Sequence, residues 1–107
     1  MLLDFRKLRG TGIGGNMKGF EKRVRAIVAA IPRGRVLTYR EVAQRAGNGK
    51  AARAVGNIMA ANRDPAIPCH RIVRSDASVG GFNRGITEKI RLLRREGVRV
   101  EGDRIVL

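Results

Sequence analysis

Phe20, Val24, Ile27 and Ile31 recur at helical spacing, while Glu21, Lys22, Arg23 and Arg25 fill the remaining faces. This predicts an amphipathic helix from Phe20 that Pro32 and Gly34 end. Val36 and Leu37 read as a short extended link. Thr38 followed by Glu41 is a capping box, so a second helix starts there and runs to Ala46, where Gly47-Asn48-Gly49 stops it. Ala51, Ala52, Ala54, Val55, Ile58 and Met59 supply the packing face of a third helix over Lys50–Ala61. Two such helices joined by a glycine-containing turn form a helix-turn-helix pattern.

Beyond it, Asn62-Arg63-Asp64-Pro65 has loop chemistry. Ile72-Val73 and Val79 flank Ser75-Asp76-Ala77-Ser78 and suggest a small hairpin or wing. Gly80 to Gly85 forms a second loop. Thr87 is a candidate cap for a last helix with Ile86, Ile90 and Leu93 on its buried stripe, ending near Glu96-Gly97. Val98 to Leu107 alternates about Gly102-Asp103 like a hairpin. The expected fold is mostly α: a winged helix-turn-helix-like single domain with small β-hairpins, over residues 19–107. Residues 1–18 are expected to be a flexible glycine-rich tail. Gly10-Thr11-Gly12-Ile13-Gly14-Gly15 satisfies a dinucleotide-loop pattern, but no strand precedes it and no βαβ unit follows.

Charge changes the picture. The 107 residues carry 23 Lys+Arg against 9 Asp+Glu, a formal net charge of +14. Most of the cations are arginine, whose planar fork grips phosphate. This predicts a polyanionic partner bound in a salt-dependent way. A membrane surface would call for aromatic anchors, yet aromatics are 4% and Trp is absent. No run of about 18 apolar residues is present, so no membrane partner is expected. A single cysteine cannot form an internal disulfide, which suits a reducing compartment, cytoplasmic or nuclear.

That cysteine lies in Pro68-Cys69-His70-Arg71, beside the only histidine. A thiolate is a strong nucleophile, but a free thiol titrates near 8.5 and needs a base or cations to activate it. Neighbouring side chains usually point apart, so His70 would reach Cys69 most easily through a water. Glu41, Glu88, Glu96 and Glu101 are the candidates to orient the imidazole. One Cys and one His cannot supply the four ligands of structural zinc, so no metal is expected. A papain-like protease needs Cys and His far apart in sequence.

Several blocks together resemble the DNA-binding domain of the O6-alkylguanine-DNA alkyltransferases. They are Thr38-Tyr39-Arg40-Glu41-Val42-Ala43, Ala51-Ala52-Arg53-Ala54-Val55-Gly56, Asn62, Ile67-Pro68-Cys69-His70-Arg71-Ile72-Val73, and Gly80-Gly81-Phe82 with Lys89, Leu92-Leu93 and Glu96-Gly97. The resemblance implies a suicide repair protein acting on double-stranded DNA that contains O6-alkylguanine, as a monomer and without a cofactor. It implies a helix-turn-helix in the minor groove, where a slim Ala/Gly helix suits a channel about 6 Å wide. Arg53 would fill the gap left by an extruded guanine, and Tyr39 would push on the rotating phosphate. Ala52, Asn57 and Arg71 join them as DNA contacts. Cys69 would take the alkyl group, His70 the thiol proton, and Glu96 would orient His70. Tyr39 would also protonate the departing guanine, and Asn62 would brace the turn. Met59, Val73, Phe82, Asn83 and Arg84 would line the base pocket.

The chain departs from the family pattern in three ways. A short tail stands where relatives commonly have an N-terminal domain, so any zinc bound there is not expected. The segment from Asn62 to Cys69 is one residue shorter than usual, with Arg63 in place of a proline. Arg84 is bulky in a loop that is often small. Two rivals follow. Alkyltransferase-like proteins flag alkylated DNA without efficient transfer and typically replace the cysteine that this chain retains. A winged-helix regulator would read the major groove with sequence preference.

Overall fold

The computed structural model describes residues 17–106. The glycine-rich pattern at residues 10–15 and most of the expected tail lie outside them.

Helix α1, Met17–Ala29, follows the predicted stripe. It opens at Met17, so Met17 and Lys18 belong to the helix rather than to the tail. Phe20, Val24, Ile27, Val28 and Ile31 are all buried, packed against Val42, Ala43, Val55, Ile58 and Ile72. These contacts make α1 the platform on which the helix-turn-helix sits.

Strand β1, Leu37–Thr38, leads into α2, Tyr39–Arg45. The capping box is present: Thr38 Oγ1 accepts from Glu41 N and Glu41 Oε1 accepts from Thr38 N, both at 3.0 Å. Two otherwise unpaired amide groups are satisfied. Thr38→Ala is therefore expected to cost about 1 kcal/mol, seen as a lower urea midpoint with unchanged slope. Gly47, at φ +101°, turns the chain out of α2, and Arg23 Nε donates to Ala46 O at 2.8 Å, tying that end to α1.

Helix α3 spans Ala52–Ala60, shorter at both ends than the pattern suggested. Ala51 stands at its N-cap without a side-chain bond. Strand β2, Ile72–Val73, does not pair with Val79. It pairs in parallel with β1, Leu37 opposite Ile72 and Thr38 opposite Val73. Arg74 N reaches Ser78 O at 2.9 Å to close a turn. Beyond that turn, Val79 N donates to Asp103 O at 2.7 Å and Ser78 bridges Arg104. The wing is thus completed by the C-terminal hairpin of β3, Val100–Glu101, and β4, Arg104–Ile105. Val73, Val79, Leu93, Val100 and Ile105 form a second core beneath it.

Helix α4 covers Ile86–Arg95. Thr87 lies inside it and does not cap it. Gly85, at φ +91°, holds the cap position and starts the helix earlier. The buried positions of α4 are Lys89 and Leu93, while Ile86 is 45% exposed. Among the described residues no helix is long and apolar enough to cross a membrane.

Candidate active site

Pro68 and the short Asn62–Cys69 segment deliver the cysteine. Asp64 closes that segment: its carboxylate accepts from Ala66 N at 2.9 Å and its carbonyl from Ile67 N at 3.1 Å. A 3-10 turn, Cys69–Arg71, follows directly. Arg63 donates to Ala60 O and Asn62 O at 3.0 Å and so seals the end of α3.

Asn62 is 3% exposed and joins three segments. Its amide donates to Asp64 O at 3.1 Å and lies 3.8 Å from Cys69 Sγ. Its carbonyl accepts from Asn83 Nδ2 at 2.7 Å, which brings the second glycine loop against the end of α3. These bonds tie the end of α3 to the cysteine turn and to the glycine loop.

The four acidic candidates separate cleanly. Glu41 belongs to the capping box. Glu88 pairs with Arg91 and Glu101 with Arg99. Glu96, with its side chain only 8% exposed, places Oε1 3.0 Å from His70 Nε2. That approach is off the line of a ring N–H, and the buried nitrogen has no well-aligned partner among the described residues. The carboxylate is aimed at Arg71 instead: Nε donates to Oε1 at 2.9 Å and Nη2 to Oε2 at 2.6 Å. This pair drives the Glu96 carboxyl down to about 2. Burial pushes the His70 pKa below its ordinary value despite the carboxylate. A neutral imidazole with Nε2–H beside Glu96 leaves Nδ1 as the proton acceptor.

Arg71 is accordingly not free to meet a partner. Besides Glu96 it binds Ile31 O at 2.6 Å. The expectation of a DNA contact is replaced by an internal clamp that fixes the end of α1 to the acid–imidazole pair.

Most of the remaining residues line one or both of two cavities. Tyr39, Ala52, Arg53, Asn57, Met59, Cys69, Phe82 and Asn83 share a cavity of about 850 Å³. Eight of the expected site residues therefore converge, from α2, α3, the cysteine turn and the glycine loop. Val73 does not join them; it is 3% exposed and packs in the second core, because the parallel pairing turns it inward. Arg84 is also absent from this cavity. It lies over the Phe82 ring at 5.1 Å and lines a second cavity of about 620 Å³, behind Cys69, together with His70. The cysteine stands in the wall between the two.

Lys89 is fully buried, and nothing in its sequence neighbourhood announced that, since lysine is normally a solvent-facing residue. Its Nζ donates to Ile72 O at 2.5 Å and Gly81 O at 3.1 Å, and sits 5.7 Å from the Tyr39 ring centre. Burial pushes its pKa down to about 8, while the Cys69 sulfur opposes that shift. It binds the strand after the cysteine to the glycine loop. Burial likewise raises the Tyr39 pKa, Arg74 partly countering it, so the phenol keeps its proton.

Residues 19–98 match the family model of the 6-O-methylguanine DNA methyltransferase, DNA binding domain. The chain belongs to this family. It is 45% identical over 89 residues to a methylated-DNA–protein-cysteine methyltransferase of Methanothermobacter thermautotrophicus, covering 82% of this chain and 49% of that protein. The chain thus spans about half the length of this relative. Among solved structures, S. pombe Atl1 in complex with damaged DNA containing O6-carboxymethylguanine superposes with a TM-score of 0.74 at 30% identity. That match covers 81% of this chain and 83% of Atl1. Mycobacterium tuberculosis OGT in complex with DNA follows at 0.70 and 34%, covering 79% of this chain and 51% of OGT. The described residues form four helices and two small sheets, the fold of these neighbours.

Proposed function

We propose that this chain repairs O6-alkylguanine in duplex DNA by transferring the alkyl group to Cys69, once per molecule. The observation that carries the reading is the convergence of Cys69, Tyr39, Arg53 and Asn57 on one cavity of about 850 Å³, large enough for a flipped base. The side chains of Arg40, Arg53 and Arg74 line the same cavity and form no hydrogen bond or ion pair among the described residues. Cations left unpaired at a cavity mouth favour a polyanion.

In the proposed reaction α3 enters the minor groove and Arg53 fills the space of the everted guanine. The thiol proton of Cys69 passes through water to Nδ1 of His70. The sulfur then attacks the alkyl carbon as its bond to O6 breaks, and Tyr39 protonates the departing guanine. The imidazolium is stabilised by Glu96, which Arg71 holds in its ionised form. A thioether does not hydrolyse, so each molecule is consumed by one transfer; the proposed protein acts as a monomer, in the cytoplasm or a nucleus.

A second reading is a lesion-binding protein without efficient transfer. The higher TM-score of Atl1, 0.74 against 0.70 for OGT, favours it, and the retained Cys69 opposes it. Intact mass after incubation with a duplex containing O6-methylguanine, followed by peptide mapping, separates the two. One added methyl on Cys69 and never more than one is expected. Tight lesion binding with unchanged mass would establish the second reading instead.

A further inference from the structure

Arg74 leaves β2 directly after Val73, on a backbone pinned by its N–H to Ser78 O at 2.9 Å and by its carbonyl to Ala77 N at 3.0 Å. Its side chain is exposed and lines the same cavity as Cys69 and Tyr39. The nearby Asp76 carboxylate accepts from Ser78 N and Oγ, at 3.0 and 2.7 Å, and forms no ion pair with it. Gly80 explains why Arg74 and Tyr39 are neighbours. A Cβ on Gly80 would stand 3.3 Å from Arg74 Cγ and 3.4 Å from Tyr39 Cε2. One bare stretch of backbone therefore supports both side chains, and the Arg74 charge reaches the Tyr39 phenol. Arg53 rises from α3, whereas Arg74 comes from the strand after the nucleophile.

We propose that Arg74 is a positioning residue that grips the phosphate beside the everted nucleotide, together with the Tyr39 hydroxyl. The guanidinium fork matches two non-bridging phosphate oxygens, and the phenol donates to a third position. An ordinary duplex keeps its phosphates on the outside of the helix. Only a backbone rotated by base eversion brings one to the Arg74–Tyr39 pair. Arg74 thus favours the everted state over plain duplex binding, unlike a cation that meets any phosphate. This inference rests on the repair reading above.

The test measures affinity by fluorescence anisotropy in the Cys69→Ala background, where no alkyl group is consumed. The duplexes carry O6-methylguanine or guanine at one position. Adding Arg74→Ala is expected to weaken the lesion duplex about tenfold and the guanine duplex less than threefold. The salt slope on the lesion duplex should fall by about one. Arg74→Lys should keep the slope and lose part of the affinity, since it retains charge without the fork. Equal weakening of both duplexes overturns the role, as does no weakening of either. A Cys69→Ala parent that does not prefer the lesion overturns the repair reading itself and the Arg74 role with it.

Discussion

Cys69→Ala is expected to abolish alkyl transfer while leaving lesion binding close to that of the parent protein. The only thiol in the cavity wall is removed, and no other side chain lining that cavity is a competent nucleophile at neutral pH. The binding surfaces stay in place, because Arg53, Asn57 and Tyr39 are held by α2 and α3 rather than by the thiol. The structural cost is small: the thiol is half-buried and its one polar contact is the 3.8 Å approach of Asn62. Asn62 keeps its bonds to Asp64 and Asn83. Intact mass and anisotropy on the same duplex check both halves. Any methyl gained by the alanine variant would show that the nucleophile is misassigned.

Glu96→Gln is the second large effect, and it should act on rate and stability together. The rate of transfer is expected to fall about 100-fold, because the imidazolium formed at His70 loses its anionic neighbour. Arg71 would then stand beside His70 uncompensated and press its pKa further down. The acid limb of the rate profile should therefore move to lower pH while the plateau drops. Stability should fall by about 2–4 kcal/mol, since a buried guanidinium loses its carboxylate. The pH dependence follows from the Glu96 shift, from an ordinary 4.5 to about 2 in the fold. A depressed carboxylate contributes stability that is complete above the ordinary value and is lost as pH falls toward the folded one. The gap between parent and variant in urea melts should thus narrow between about pH 4.5 and pH 2. A variant with parental transfer rate would remove Glu96 from the mechanism, whatever its stability.

These predictions use contacts of very different legibility. The α1 stripe, the Thr38–Glu41 box and the turn at Gly102-Asp103 are local: each depends on residues within a few positions of one another, so periodicity and capping chemistry are enough to find them. The pairing of Leu37 with Ile72 is not local. Two-residue strands have no period to read, and parallel neighbours need a long crossover. That pairing turned Val73 into the core and out of the expected base pocket. The Thr87 cap failed for a related reason, since Gly85 at positive φ already provides the bend that starts α4.

The residues of the candidate site show the same division. The Pro68–Arg71 block, the Arg53 helix and Glu96 were legible as types of residue at spacings that resemble a known family. Their partners were not. Eighteen arginines are equivalent on paper. The structure spends Arg71 on Glu96 and Ile31, lays Arg84 on Phe82, and leaves Arg53 and Arg74 at the cavity.

By itself the sequence determined the buried stripe of α1, the capping box that opens α2, the net charge of +14, and the single cysteine. Helix period, capping and charge are properties of short segments, and they survive without knowledge of the fold. Only the tertiary structure decided which carboxylate meets His70, which cations remain free, and that Lys89 is buried across two carbonyls. Those outcomes depend on desolvation and on approach between segments up to 62 residues apart, and a charge has no fixed role until the fold sets its neighbours and its distance from water.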